Sequence, residues 1–233
     1  MVSFNEAFEQ FALRILPPSL SDAAHLQFRQ LARPFPIAPD QSLEFADSGQ
    51  QIVYVAQGST KLVAHASRSR DQIVAFHFAG DVFTVPAPDN YSYSVGTLKE
   101  GAILTFASDE FLALAASEPG VLAHLLDNTT LSLRRCREKT IALGRKTAGE
   151  RIAVFLLSMA ERIGAPQDDM LALELPMSRR DIAESLGLTI ETVSRQFTRL
   201  KEDGVIETFG RSGVVLREPE RLRDRAGFLR EAA

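Results

Sequence analysis

The period of the hydrophobic positions changes twice between residue 3 and Gly144. From residue 3 to about 31 the spacing is helical, with Phe4, Phe8, Phe11, Leu13 and Ile15 in one run and Leu26, Phe28 and Leu31 in the next. Pro17-Pro18 separates the runs, because proline removes an N–H that a helix interior needs. From residue 34 to 107 short stretches rich in β-branched and aromatic residues take over, at 51–55, 60–64, 72–78, 91–95 and 102–106. Gly49, Gly58, Gly80, Gly96 and Gly101 punctuate them, and strands at this spacing predict an antiparallel roll or barrel. After Pro119 the helical period returns and holds to about Gly144.

Within that last segment Leu122, Leu126, Thr129, Leu133, Cys136, Thr140 and Leu143 repeat at 4-3 spacing over three heptads. This period keeps one stripe toward a partner helix and predicts a dimer seam; a core helix packed on its own roll is the alternative. Thr129, Cys136 and Thr140 add little apolar area, so the seam alone should be moderate. Thr147 and Glu150 then form a capping box that opens a further helix with Ile152, Phe155, Leu156 and Met159 on its apolar face and Gly164 as its stop. A loop, a strand at 171–175, two short helices and a hairpin (205–209, turn 210–213, 214–216) complete the pattern.

The two short helices carry the most specific signal. Ser178 caps the first, with Asp181 at its third position, and Gly187 ends it; Thr189 caps the second, which runs toward Gly204. Ile182, Ala183, Leu186, Leu188 and Val193 make a shared core, in which Ala183 is small at the crossing, Gly187 takes positive φ and Val193 plugs the junction. That is a helix-turn-helix, whose second helix enters a DNA major groove N-terminus first, and the following hairpin makes it winged. An ordinary helical pair would leave unexplained why Glu191, Ser194, Arg195 and Arg199 share the face opposite Val193, Phe197 and Leu200. Arginine is the bidentate partner of guanine O6 and N7, and glutamate accepts from cytosine N4. Glu191 and Arg195, one turn apart, can reach the same or neighbouring base pairs, and Glu191 can also pair with Arg195; Ile190 and Ser194 complete the base-reading set. Arg179, Arg180, Arg199, Lys201 and Arg211, with the hydroxyls of Ser178, Thr189, Thr198 and Ser212, are the candidate phosphate contacts. The expected fold is α+β: a β-roll with leading helices over residues 1–118, a long dimerisation helix over 119–145, and a winged helix-turn-helix over 146–233.

Composition narrows this. With 233 residues, 45% hydrophobic and 24% charged, the chain is an ordinary globular protein of about two domains. Lys+Arg 26 against Asp+Glu 30 gives net charge -4 and excludes a basic nucleic-acid coat. Residues 145–233 hold 15 Lys+Arg and 15 Asp+Glu, so DNA affinity must come from a local arrangement of cations. The single Cys136 cannot form an intrachain disulfide or build a metal site alone; it is either an oxidant-sensing or cross-linking thiol at the seam or a small filler. No basic n-region or membrane-length apolar run is present, so a cytoplasmic protein without membrane contact is expected. No Ser/His/Asp set, metal-ligand spacing, P-loop or dinucleotide motif is found, so no enzymatic activity and no metal are expected.

Residues 178–195 (SRRDIAESLGLTIETVSR) closely resemble the helix-turn-helix of the CRP/FNR family of bacterial transcription regulators, particularly its FNR and FixK branches. The layout is similar over the whole chain. Phe76-His77-Phe78-Ala79-Gly80-Asp81-Val82-Phe83 looks like the family's strand-and-turn entry, Gly80-Asp81 being the matching pair. The resemblance implies a roll of the cyclic-nucleotide-binding (jelly-roll) kind and a homodimer on a two-fold symmetric promoter site that recruits RNA polymerase. Glu191, Ser194 and Arg195 resemble the pattern that reads TTGAT half-sites, hence TTGAT-N4-ATCAA, rather than the TGTGA core of the cyclic-AMP branch. The family's nucleotide cassette needs a Gly-Glu pair and an Arg-Ser step; between Arg70 and Arg134 there is no arginine and Lys99 is the only lysine, while residues 86–90 replace the cassette and carry Asp89. An iron–sulfur cluster needs four thiolates where this chain has one. No cofactor is therefore expected, as in the FixK type. The alternative is a haem- or small-ligand-gated regulator responding to nitric oxide or oxygen, since His25, His65, His77 or His124 could ligate iron; His77, between Phe76 and Phe78, otherwise reads as a barrel histidine.

Overall fold

The computed structural model describes residues 2–45, 49–67, 70–167 and 170–228. In chain order the elements are α1 (Phe4–Ile15), α2 (Asp22–Leu31), β1 (Arg33–Ile37), β2 (Ser42–Glu44), β3 (Gln51–Ser67), β4 (Arg70–Phe78), β5 (Val82–Val85), β6 (Ser92–Ala107), α3 (Ser108–Ala115) and α4 (Pro119–Arg145). They continue with α5 (Ala148–Ile163), β7 (Ala165–Gln167), β8 (Met170–Glu174), α6 (Arg179–Leu186), α7 (Ile190–Glu202), β9 (Ile206–Phe209), β10 (Gly213–Leu216) and α8 (Pro219–Ala226). Packing divides the chain into Met1–Arg135 and Cys136–Ala233, a division inside α4, where the sequence reading set its boundary at the end of that helix. Among the described residues, no helix is long and apolar enough to cross a membrane.

The first unit is organised around β3, which pairs antiparallel with β4, β5 and β6. Alternation along β3 sends Ile52, Tyr54 and Ala56 to a core shared with the helices, and Val53 and Val55 to a second core inside the roll with Ile37, Phe83, Val85, Val95 and Ile103. Aromatic rings dominate the first core: Phe11 lies 4.9 Å from Phe106 and 5.5 Å from Tyr54, and Phe28 lies 5.0 Å from Phe111. The helical apolar positions were not all core positions. Leu13 is 87% exposed and Leu26 54%, because the buried stripe of α1 is Ala7, Phe8, Phe11, Ala12 and Ile15, and Leu13 falls about 200° around the helix from Phe11.

The strands expected at 51–55 and 60–64 are one long strand, β3, and those at 91–95 and 102–106 are one strand, β6. Gly58, Gly96 and Gly101 lie inside them. The β3–β6 register shifts near Gln57 and Ser59, so Gly58 and Gly101 accommodate bulges where turns were expected, while Gly96 pairs in register with Lys61. A Cβ on Gly101 would sit 2.0 Å from the Gln57 carbonyl oxygen, a backbone approach only glycine permits. Strands β1, β2 and β5 and helix α3 were not foreseen. β1 contains Pro34 and Pro36, which read as breakers but are tolerated at a sheet edge.

In the second unit β7, β8, β10 and β9 form an antiparallel sheet in that order. The loop expected after Gly164 contains β7, paired with β8; residues 168 and 169 lie outside the described residues. The Thr147–Glu150 capping box is present, the Glu150 carboxylate accepting from the Thr147 N–H (2.7 Å) and hydroxyl (2.6 Å). The last turns of α4 are tied to α6 by Lys139, whose Nζ donates to Ser185 Oγ at 2.9 Å. Burial pushes the Lys139 ammonium down to about 8, because desolvation disfavours its charged form.

Two expectations follow. Gly101→Ala should destabilise the first unit by about 1–3 kcal/mol in denaturant unfolding, whereas Gly144→Ala, with nothing near its new methyl, should be neutral or stabilising. Because Lys139 titrates near 8 when folded and near 10.5 when unfolded, the unfolded state binds more protons between those values. Stability of the second unit should therefore rise with pH across that window, by at most roughly 3 kcal/mol, and Lys139→Met should flatten the rise; an unchanged slope in pH-dependent melts would contradict it.

Candidate nucleic-acid interface

The start of the interface is set by three local devices. Ser178 Oγ accepts from the Asp181 N–H (3.2 Å), while the Asp181 carboxylate accepts from the Ser178 N–H (2.8 Å) and hydroxyl (2.6 Å), so α6 opens on a closed capping box. Gly187 ends α6 in the left-handed region, φ 62 and ψ 42, and the Leu188 N–H bonds back to the Ala183 carbonyl at 3.0 Å. Thr189 then caps α7, its hydroxyl oxygen accepting from the Thr192 N–H at 3.2 Å. Val193, Phe197 and Leu200 bury one face of α7. Ile182 and Ala183 are buried on α6, which packs against α7, and Leu188 is half-buried.

On α7, Glu191, Ser194, Arg195, Thr198 and Arg199 are exposed away from the buried face, and Ile190 and Lys201 are exposed at its margin. Glu191 and Arg195 do not pair, contrary to one possibility raised by their spacing. The Glu191 carboxylate turns back to its own N–H and the Thr189 hydroxyl at the helix start, and these bonds hold it below the usual carboxylate range. Arg195 instead reaches Thr192 Oγ1 at 3.5 Å, a loose contact that leaves its guanidinium extended from the helix. The positive end of the α7 dipole offers the glutamate a better partner than a solvated arginine one turn away.

The candidate phosphate residues are not all equally placed. Arg180, Arg199, Lys201 and Arg211 are exposed and make no ion pair among the described residues. Arg179 is half-buried with its guanidinium 3.3 Å from the Phe197 ring centroid, and desolvation lowers its pKa from the ordinary arginine value. Ser212, at the tip of the β9–β10 wing, donates to Glu174 at 2.5 Å, and the Ser178 hydroxyl is held in its capping box. Four other arginines of the unit are matched by carboxylates: Arg217 pairs with Glu207, Arg221 with Glu218, Arg223 with Glu220 and Arg225 with Asp203. Among the described residues, Arg180, Arg199, Lys201 and Arg211 thus stand without an acidic partner on α6, α7 and the wing, as Arg137 and Arg145 do on α4.

Two residues that shape this region carried no signal in the sequence: Lys139, described above, and Arg151, which donates to the carbonyl oxygens of Leu143, Lys146 and Leu186. Both sit beside other charged residues of their helices, Lys139 after Arg137 and Glu138 and Arg151 after Glu150, so nothing in the local pattern singles them out. In α4, Leu122, Leu126 and Leu133 are exposed, as are Thr129, Cys136 and Thr140, while Leu143 is half-buried near Gly187 and Ile141 is exposed on the flank. Cys136 is exposed in the single chain.

The roll also brings together a set that no sequence motif announced. His65 Nδ1 lies 2.8 Å from Asp71 Oδ1 and its Nε2 2.8 Å from Ser94 Oγ, the linear order of a hydrolase triad, which corrects the reading that no Ser/His/Asp arrangement exists. Ser94 is 2% exposed within β6, so its hydroxyl serves as a buried pin between strands and is closed to a substrate. His77 stacks on Phe83 with ring centroids 3.7 Å apart, and His124 Nδ1 bonds the Ile15 carbonyl at 2.8 Å.

Comparison with known proteins agrees with this geometry. The Crp-like helix-turn-helix domain matches residues 150–225. The chain is 32% identical over 204 residues to the transcriptional activatory protein AadR of Rhodopseudomonas palustris, covering 87% of this chain and 85% of that protein. It is 35% identical over 175 residues to the nitrogen fixation regulation protein FixK of Azorhizobium caulinodans, covering 75% and 71%. The solved structure of FixK2 from Bradyrhizobium japonicum superposes with a TM-score of 0.75 at 32% identity, covering 85% of this chain and 99% of that one. With a capped helix-turn-helix, a β-roll and relatives matched over most of their length, the chain belongs to the CRP/FNR family of transcription regulators, on its FixK-like side.

Proposed function

We propose that the protein is a homodimeric transcription activator that binds a two-fold symmetric site of the TTGAT-N4-ATCAA kind and recruits RNA polymerase, without cyclic nucleotide or iron–sulfur cluster. The observation that carries this reading is the exposed row Glu191, Ser194 and Arg195 on a helix whose start is fixed by Gly187 and Thr189, flanked by the unmatched Arg180, Arg199, Lys201 and Arg211. Arg195 reads guanine through its two parallel donors; Glu191 and Ser194 read neighbouring edges, and Ile190 offers a methyl surface to thymine. The activator role draws on AadR, described as a transcriptional activatory protein.

Dimerisation is supported by Leu126 and Leu133, 66% and 47% exposed two turns apart on one face of α4, apolar area that a second copy of the helix would cover. Effector independence is supported by the roll, where the segment 71–133 has no arginine to clamp a cyclic phosphate. The haem alternative is weakened by the histidines: both ring nitrogens of His65 are hydrogen-bonded and the His77 ring lies flat against Phe83.

Arg195→Ala should lose roughly 1–3 kcal/mol of specific binding per half-site while barely changing non-specific binding. Arg211→Ala should weaken both and lower the salt slope by about one per site. Titrating the symmetric duplex and a guanine-substituted one at several salt concentrations checks this, and a mutant that still discriminates the two as the parent does removes Arg195 from the base-reading role. Leu126→Glu with Leu133→Glu should place like charges in the seam and give a monomer by light scattering.

A further inference from the structure

Arg151, in the first turns of α5, bonds two other helices of the second unit at once. Its Nη1 donates to the Leu186 carbonyl (2.9 Å), its Nη2 to Leu143 (2.7 Å) and its Nε to Lys146 (3.0 Å). Leu186 is the last residue of α6, Leu143 lies in the last turn of α4, and Lys146 follows α4 directly. Carbonyls at a helix end lack partners within the helix, and a planar guanidinium with five donors can gather several with defined directions. The Lys139–Ser185 bond adds a second tie from α4 to α6, and the Leu143 side chain lies beside Gly187, 3.7 Å from where a Cβ would stand. The same turns of α4 carry Cys136 and Thr140, the C-terminal positions of the exposed stripe, and α7 begins four residues after Leu186.

We propose that Arg151 is a positioning residue that sets the spacing at which the two half-sites can be read together. It holds the turn before α7 at a set place relative to the stripe positions of its own unit; in a dimer formed along that stripe, this fixes the separation and rotation of the two recognition helices. Apolar contacts alone would let helices slide and roll, whereas three directed hydrogen bonds do not. Adding two base pairs between half-sites displaces one by about 7 Å and rotates it by about 70°, so a held pair of helices cannot follow. The inference rests on the dimeric reading above.

The test compares the full chain with Arg151→Met and Arg151→Lys on duplexes whose half-sites are separated by four or six base pairs, and on a duplex with no half-site. The parent should prefer the four-base spacer by about tenfold or more, and Arg151→Met should bring this below about threefold, with dimer mass and non-specific affinity unchanged. Arg151→Lys, which keeps the charge but not the fork, should fall between them. A second readout is the distance between spin labels at Glu202→Cys in a Cys136→Ser background: a narrow distribution should broaden in Arg151→Met. A uniform loss of affinity on all three duplexes, with spacer preference and label distribution retained, overturns the proposal. If Arg151→Met does not fold, Arg151→Lys decides by the same measurements; if neither folds, the residue serves folding and the proposal fails. A parent protein that is monomeric, or indifferent to symmetric sites, refutes the dimeric reading itself and the inference with it.

Discussion

The chain passes from α6 to α7 through three residues, and what the interface presents depends on the left-handed backbone that Gly187 holds between them. An L-residue with a side chain would carry roughly 1–2 kcal/mol of strain there. Held in that conformation, the turn returns the Leu188 N–H to α6 and places Thr189 where its hydroxyl can cap α7. The cap decides which residues face outward, since each following side chain is set by the helical period from that start. Arg151 and Lys139 bear on the same turn from α5 and α4, so the place of the reading helix is determined by polar bonds to neighbouring helices as well as by the apolar contacts of Val193 and Phe197.

Pairing of four arginines elsewhere in the unit thins the competing positive charge around the interface. The C-terminal part of the chain has as many acids as bases, which argues against sequence-independent electrostatic binding. Arg217, Arg221, Arg223 and Arg225 are matched by nearby carboxylates, and Arg179 is drawn onto Phe197. The cations left on α7 and the wing are few and local. Such an arrangement positions a protein on a phosphate backbone while leaving discrimination to base contacts.

The roll solves a different problem, that of burying one strand on both faces. β3 feeds two cores, and where its register with β6 slips near Gln57, Gly58 and Gly101 take up the irregularity. One buried hydroxyl is tied outward through a chain of partners: exposed Asp71 holds His65, and His65 holds the buried Ser94. This order of groups elsewhere performs hydrolysis, but here the hydroxyl is sealed within the sheet and joins strands. A residue set takes its role from exposure as much as from distance.

Local signals in the sequence determined the helix starts and the helix-turn-helix. Thr147, Ser178 and Thr189 cap where the sequence pattern places them, because a cap needs only partners three residues away; Ser3 caps α1 with Glu6 in the same way. The outward face of α7 was legible for the same reason. Strand continuity was not: a glycine that ends a strand and one that lets two strands press together read alike, and only the approach of Gln57 to Gly101 distinguishes them. Nor could the sequence show that Glu191 turns to its own helix start, that Arg179 leaves the phosphate face for an aromatic ring, or that Arg151 joins the ends of two helices. Those outcomes depend on which unsatisfied groups meet in space, and the tertiary structure alone brings residues 35 or more positions apart, such as Arg151 and Leu186, within 3 Å.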